Sequence, residues 1–330
     1  MSRIVLSTLG SLGDLNPMLA LGVGLERRGH VAIINTLTGY QEEIESLGLE
    51  FAPLRPEVDE ADEALTQRLV DMRTGPETVI RELVMPHVSE MYEDLSSACR
   101  TADLMVTGEL IYVAGSLADT TGIKWVSTSL SPIAIFSAED PSVYPGYSWM
   151  EIFRPLPAFF HRTALNTARF GISSWLEPFR DFRRGLGLDP DVDPMFIDKF
   201  SSLLHLAMFS KVIARPQPDW PTATLQTGFC FYDESDRTEL QPELARFLQT
   251  GEPPIVFTLG SAAVLDSRDF FEVSAAAARS LGKRAILLYG RDQQPPKAPG
   301  GEIAAFEFAP YSLVFPHAAC VVHQGGIGTT

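Results

Sequence analysis

Short apolar runs rich in β-branched residues alternate along this chain with longer segments whose apolar positions recur at helical spacing. Ile4 to Thr8 reads as a buried strand that runs into a Gly10-Ser11-Leu12-Gly13-Asp14 loop. Asn16-Pro17 then predicts a helix start, with asparagine as cap and proline at the first helical position. The helix carries Leu19, Leu21 and Leu25 to Arg28, and Gly29 stops it. Val31 to Asn35 is a second strand, Tyr40 to Leu47 a helix closed by Gly48, and Leu49 to Leu54 a third strand. This β-α-β-α-β order with short connections predicts a parallel, doubly wound sheet.

The alternation continues with helices over Asp59 to Met72, Pro76 to Ala98 and Leu110 to Thr120, and strands over Leu104 to Thr107 and Trp125 to Ser129. From Ser131 to Pro194 the chain turns aromatic and proline-rich, with helices expected around Trp149 to Phe153, Pro157 to Phe170 and Leu176 to Leu186. Leu203 to Phe209 and Val212 to Ala214 read as extended. A polar stretch around Tyr232 to Arg237 interrupts the pattern, which restarts at strand Ile255 to Leu259 after Pro242 to Leu248. Helix Phe270 to Leu281 and strands Ala285 to Tyr289, Ile303 to Phe308 and Cys320 to Val322 follow. The expected division is 1–230, a linker over 231–252, and 253–330. Both outer parts read as doubly wound α/β units.

Length and charge narrow the function. The 330 residues suit about two domains. An apolar fraction of 45% against 21% charged residues allows each part a core. The formal charge of −16 sets the surface against phosphate backbones, so no nucleic-acid partner is expected. A local anion site remains compatible with that field. Cys99, Cys230 and Cys320 form no CxxC pair and read as buried free thiols. No signal peptide is expected from the N-terminal pattern, no 18-residue apolar run is present, and the cytoplasm is the expected location.

The loops after strands carry the chemistry in such folds. Gly10 and Gly13 stand G-x-x-G apart, and Asn35-Thr36-Leu37 offers no acid for a ribose, which argues against NAD or FAD. Asp14 precedes a helix start; the residues alone leave catalytic base and helix cap both open. His323-Gln324-Gly325-Gly326-Ile327-Gly328-Thr329-Thr330 follows a buried strand and offers backbone N–H groups, hydroxyls and an imidazole to an anion. Thr258-Leu259-Gly260-Ser261 offers a second phosphate contact. Asp191-Val192-Asp193 matches D-x-D but sits between Pro190 and Pro194 and reads as a solvated turn; no metal site is assigned. No G-x-S-x-G elbow or P-loop is present.

Ser7 to Pro17 with Leu25 to Val31, Trp125 to Pro132, and Phe308 to Tyr311 running through Phe315-Pro316 to Thr330 together resemble GT-B glycosyltransferases of the bacterial family 1/28 type. Antibiotic, sterol and rhamnolipid glycosyltransferases are of this kind. The resemblance implies two Rossmann-like domains facing across a cleft, with acceptor in the N-terminal and nucleotide sugar in the C-terminal one. It implies an inverting hexosyl transfer from a UDP- or dTDP-sugar to a hydroxyl of a lipid, sterol, polyketide or other hydrophobic acceptor. Asp14 would be the base. Glu109 stands near the second acid of plant-type enzymes and is carried as a further catalytic candidate.

Gly260, Ser261, His323, Gly325, Gly326, Gly328, Thr329 and Thr330 are the implied donor binders. Ser11, Leu12, Gly13, Tyr144 and Trp149 are the acceptor-side candidates, the aromatic segment reading equally well as core. The nucleotide sugar is a co-substrate, and no other cofactor is expected. Peripheral membrane contact stays open, and the oligomeric state is not specified. The alternatives are a sugar-nucleotide epimerase on the same fold and a non-catalytic nucleotide-binding fragment. In the family the glycine turn leads into a helix, an Asp-Gln segment and a final crossing helix. The expectation is therefore a longer gene product, with weak donor binding by these 330 residues alone.

Overall fold

The computed structural model describes residues 1–57, 65, 68–69, 71, 73–144, 147–233, 239–264, 267–291, 293–297 and 300–330. It divides into two compact units, Met1–Gly10 with Pro17–Cys230, and Ser11–Asn16 with Phe231–Thr330.

The first unit holds a seven-stranded, all-parallel sheet in the order β3-β2-β1-β4-β5-β6-β7. Its strands are β1 (Arg3–Ser7), β2 (Val31–Thr36), β3 (Glu50–Pro53), β4 (Leu104–Thr107), β5 (Lys124–Ser129), β6 (His205–Ala207) and β7 (Thr224–Gln226). Between them lie α1 (Leu12–Glu26), α2 (Gln41–Ser46), α3 (Val88–Cys99), α4 (Ala114–Thr121), α5 (Ala158–Gly171) and α6 (Glu177–Gly185). Val5 and Leu6 are fully buried, as expected for a central parallel strand covered on both faces. Gly22 lets α1 approach the sheet: a Cβ there would come within 3.2 to 3.4 Å of Leu49, Ile34 and Leu6 side chains.

The second unit holds a four-stranded parallel sheet in the order β10-β9-β8-β11, from β8 (Ile255–Thr258), β9 (Ala285–Leu288), β10 (Ile303–Phe306) and β11 (Cys320–Val322). Helices α7 (Pro242–Gln249) and α8 (Phe270–Ser280) flank it. Leu244 and Val314 are buried in one cluster with Val256 and Ile286, while Phe271, Ala275 and Ala278 pack with Phe257 and Leu287 in another. The central strands β8 and β9 thus bury both faces, whereas Cys320 and Val322 of the edge strand β11 are exposed.

Several sequence expectations need correction. The first helix starts at Leu12, not Pro17, because Ser11 and Asp14 cap it one turn earlier. Pro17 sits inside, where its missing N–H would have met the Gly13 carbonyl. Pro76 to Ala98 is not one helix. It passes through a π-helical segment (Val79–Val84) and a 3₁₀ turn (Met85–His87) containing Pro86 before α3. Val212 to Ala214 lies in a turn rather than a strand, and Thr224–Gln226 supplies the edge strand. The helix expected over Asp59 to Met72 falls largely outside the described residues. All three cysteines are free, but only Cys99 is buried; Cys320 is exposed.

Candidate active site

Buried polar residues line the carboxyl edge of the first sheet: Ser7 at the end of β1 and Thr8 after it, Asn35 and Thr36 in β2, Thr107 in β4 and Ser129 in β5. Asn35, standing where a ribose-binding acid would be sought, is a strut. Its Oδ1 accepts from the Ser7 hydroxyl at 2.8 Å, and its Nδ2 donates to the Pro53 carbonyl at 2.8 Å.

Asp14 occupies the third position of α1 and closes a capping box. The Ser11 N–H donates to Asp14 Oδ2 at 2.9 Å, and the Ser11 hydroxyl accepts from the Gly13 N–H at 3.2 Å. The carboxyl is half-buried. Burial raises it to about 6, against the opposing pull of the Ser11 hydrogen bonds. Asp14 is therefore a cap, and one whose proton affinity lies close to neutral pH.

Glu109 follows β4. Its Oε1 accepts the Leu130 N–H after β5 at 3.1 Å. Its charge, with that of Asp193, reaches two groups that sequence reasoning missed, Tyr112 and Lys199. Burial and then these two acids push the Tyr112 hydroxyl up. The Lys199 ammonium lies 4.8 Å from the Phe136 ring centroid and 5.2 Å from that of Phe200. Burial brings it down to about 8, more strongly than Glu109 and Asp193 raise it. Phe136 takes a left-handed backbone conformation at φ 56°, an uncommon state for a bulky residue. A lone lysine in an acidic, proline-containing loop carried no sequence signal.

Of the aromatic segment, Tyr144 is half-buried, and burial pushes its hydroxyl up to about 12. Trp149 is 59% exposed, and Ile152, Phe159 and Phe170 are exposed with it. Core packing therefore does not account for Trp149. Asp193 of the D-x-D stretch pairs with Arg169 at 2.8 Å and accepts the N–H groups of Met195 and Phe196. Among the described residues no group of three or more His, Cys, Asp or Glu side chains is placed to hold a metal ion.

In the second unit the end of β8 meets the turn after β11. Gly260 sits at φ +69°, and a Cβ there would fall 2.6 Å from Gln324 Nε2 and 3.5 Å from the Thr329 hydroxyl. A Cβ on Gly326 would likewise fall 2.6 Å from Gln324 Nε2. The Gln324 amide thus lies against both glycines, a contact the sequence did not single out. Gly325 adopts φ +84° and donates its N–H to His323 Nδ1 at 3.1 Å. In the neutral ring that leaves the proton on Nε2, as a donor.

The N–H groups of Thr329 and Thr330 and the Thr330 hydroxyl all donate to the Gly326 carbonyl at 3.0 Å. Tyr311 OH pairs with the Thr258 hydroxyl at 2.9 Å. Gly328 lies in the exposed turn, and the Ser261 side chain lies outside what the structure describes. Beyond β10, Arg291, Phe308, Ala309, Pro310 and Gln241 line a cavity of about 300 Å³. There the Arg291 guanidinium stands 3.9 Å from the Phe308 ring centroid.

The glycosyltransferase family 28 N-terminal domain matches residues 4–100. O-mycaminosyltylonolide 6-deoxyallosyltransferase of Streptomyces fradiae is 30% identical, over 99% of this chain and 77% of its own length. This chain belongs to the family 1/28 glycosyltransferases.

Solved structures carry the same fold. The glycosyltransferase of kitacinnamycin matches with a TM-score of 0.69 at 17% identity, covering 99% of this chain and 76% of its own. SsfS6 of Streptomyces sp. SF2575, complexed with thymidine diphosphate, matches at 0.57 and 18% identity, covering 100% and 78%. The two parallel sheets of this glycosyltransferase are thus a GT-B fold. No helix among its described residues is long and apolar enough to cross a membrane.

Proposed function

We propose that this glycosyltransferase moves a hexose from a UDP- or dTDP-sugar to a hydroxyl of a hydrophobic acceptor, with Asp14 as general base. The observation that carries the assignment is the Asp14 carboxyl, raised to about 6 at the first turn of α1. A base serves best when its proton affinity lies near the working pH. The acceptor oxygen gives its proton to the Asp14 carboxylate as it forms a bond to the anomeric carbon. The bond from that carbon to the diphosphate oxygen breaks, configuration inverts, and the nucleoside diphosphate leaves with the electron pair.

Residues 253–330 take the donor in this assignment. His323 Nε2–H, the Gly325 to Thr330 turn and Gly260-Ser261 face charge that grows on the departing diphosphate, where oriented donors contribute most. A thymidine diphosphate complex of a structural relative supports a nucleoside diphosphate as the leaving group. Residues 1–230 take the acceptor. The exposed Trp149 and the half-buried Tyr144 offer apolar surface to it, and the O-mycaminosyltylonolide in the name of the Streptomyces fradiae relative supports a small-molecule acceptor. Glu109 acts through its charge on Lys199 and Tyr112 rather than as a second base.

The test is product mass spectrometry of the full-length protein with dTDP- and UDP-sugars, with and without a panel of hydrophobic alcohols. Acceptor masses increased by one hexose unit are expected. A changed sugar nucleotide in the acceptor-free arm would instead mark an epimerase and sink the transferase assignment.

A further inference from the structure

The aromatic segment that carries Trp149 is tied to the first sheet largely by charge. No residue of Ser148–Phe153 is buried, and in α5 only His161 is. Its aromatics pack on one another, Trp149 on Phe153 with ring centroids 6.0 Å apart and Phe153 on Phe160 at 6.2 Å. Three of its arginines reach acids outside it: Arg154 meets Asp140 at 2.9 Å, Arg162 meets Glu139 at 3.7 Å and Arg169 meets Asp193 at 2.8 Å.

Two of those acids stand in the loop after β5, and one carboxylate fixes that loop. Asp219, from the connection between β6 and β7, accepts the Ser137 hydroxyl on Oδ1 at 2.7 Å. Its Oδ2 accepts the N–H groups of Ala138 at 2.6 Å and Glu139 at 3.2 Å. The Ser137 hydroxyl in turn accepts the N–H groups of Glu139 and Asp140 at 3.2 and 3.1 Å. The next residue after Asp219, Trp220, is buried with its ring 5.7 Å from that of Phe209, which anchors the carboxylate's own backbone. Hydrogen bonds to a carboxylate are strong, whereas exposed ion pairs are individually weak. Asp219 and residues 137–140 are thus the fixed part of the assembly, and the arginine-bearing segment docks on them.

We propose that Asp219 is a positioning residue for the acceptor: by fixing residues 137–140 it sets where Arg154 and Arg162 dock, and so where Trp149 meets the acceptor. The inference rests on the assignment of Trp149 to the acceptor side.

Steady-state transfer by the full-length protein, with a donor and acceptor that the wild type couples, tests it. Asp219→Ala is expected to raise the acceptor KM about three- to tenfold, the range set by one hydrogen bond, with the donor KM unchanged. Arg154→Gln changes only an exposed side chain and should raise the acceptor KM in the same direction. Combined, the two should cost less than the product of their separate effects, since both act on one segment. A wild-type acceptor KM in Trp149→Ala would remove the acceptor assignment and this inference with it. A raised acceptor KM in Trp149→Ala beside a wild-type value in Asp219→Ala would overturn the positioning role alone, as would a donor KM that rises equally. Should Asp219→Ala fold poorly, wild-type acceptor KM values in both Arg154→Gln and Arg162→Gln would overturn it in the same way.

Discussion

Replacing Asp14 with asparagine should make this protein more stable and less active at once, and the stability gain should depend on pH. The Asp14 carboxyl is raised from 3.8 to about 6 in the fold. At 1.36 kcal/mol per tenfold change in proton affinity, that rise corresponds to about 3 kcal/mol. The folded state therefore holds this proton more tightly than the unfolded chain does. The favourable contribution is full below pH 3.8, is lost as pH rises to about 6, and stays lost above it. Asparagine never ionises, and its side-chain oxygen can still accept the Ser11 N–H of the capping box.

Asp14→Asn should accordingly match the wild type near pH 4 and exceed it by about 3 kcal/mol at pH 7.5. Urea unfolding of both proteins at several values between pH 4.5 and 7.5 reads this directly. A difference that stays flat with pH, or a variant less stable at pH 7.5, would refute the account of Asp14 as a carboxylate desolvated by the fold.

Two further substitutions probe the two units separately. Gly260→Ala places a methyl group on a left-handed residue 2.6 Å from Gln324 Nε2, so it should cost about 1 kcal/mol in thermal unfolding. The displaced Gln324 should also weaken dTDP or UDP binding in calorimetry. Arg183 is 5% exposed and donates to the Asp189 carbonyl, the Ser116 hydroxyl and Asp119. Arg183→Met should lower stability in urea by about 3 kcal/mol, since it leaves those groups without their donor.

What could be read from the sequence follows the range of the forces involved. The central strands of both sheets are short apolar runs and their parallel order follows from helices lying between them, so hydrophobic periodicity predicted the doubly wound units while missing the edge strand Thr224–Gln226. Gly29 and Gly48 mark helix ends through their own positive φ, a property local to the residue. The start of α1 was misplaced because two glycines and Pro17 read as a loop, whereas the Ser11–Asp14 box supplies a cap that outweighs them.

The glycine turn was legible because the role proposed for it is built from backbone. Its supports were not. Tyr311 meets Thr258 and Gln324 meets Gly260, residues far apart in sequence that only the strand order brings together. Lys199 and Phe136 likewise meet across more than sixty residues. Trp149 shows the converse limit: an aromatic run reads equally well as core or as binding surface, and which residues find a partner depends on packing that hydropathy does not encode.

The central claim, that Asp14 removes the proton from the attacking hydroxyl, is tested most directly by transfer rate against pH in the full-length wild type and in Asp14→Asn, with a donor and acceptor that the wild type couples. The wild-type rate should fall below about pH 6 as the carboxyl takes up its proton. The variant should be slower by roughly a hundred- to ten-thousandfold and should lack that acid limb. A variant that transfers at the wild-type rate, or one that keeps the same acid limb, would contradict the assignment.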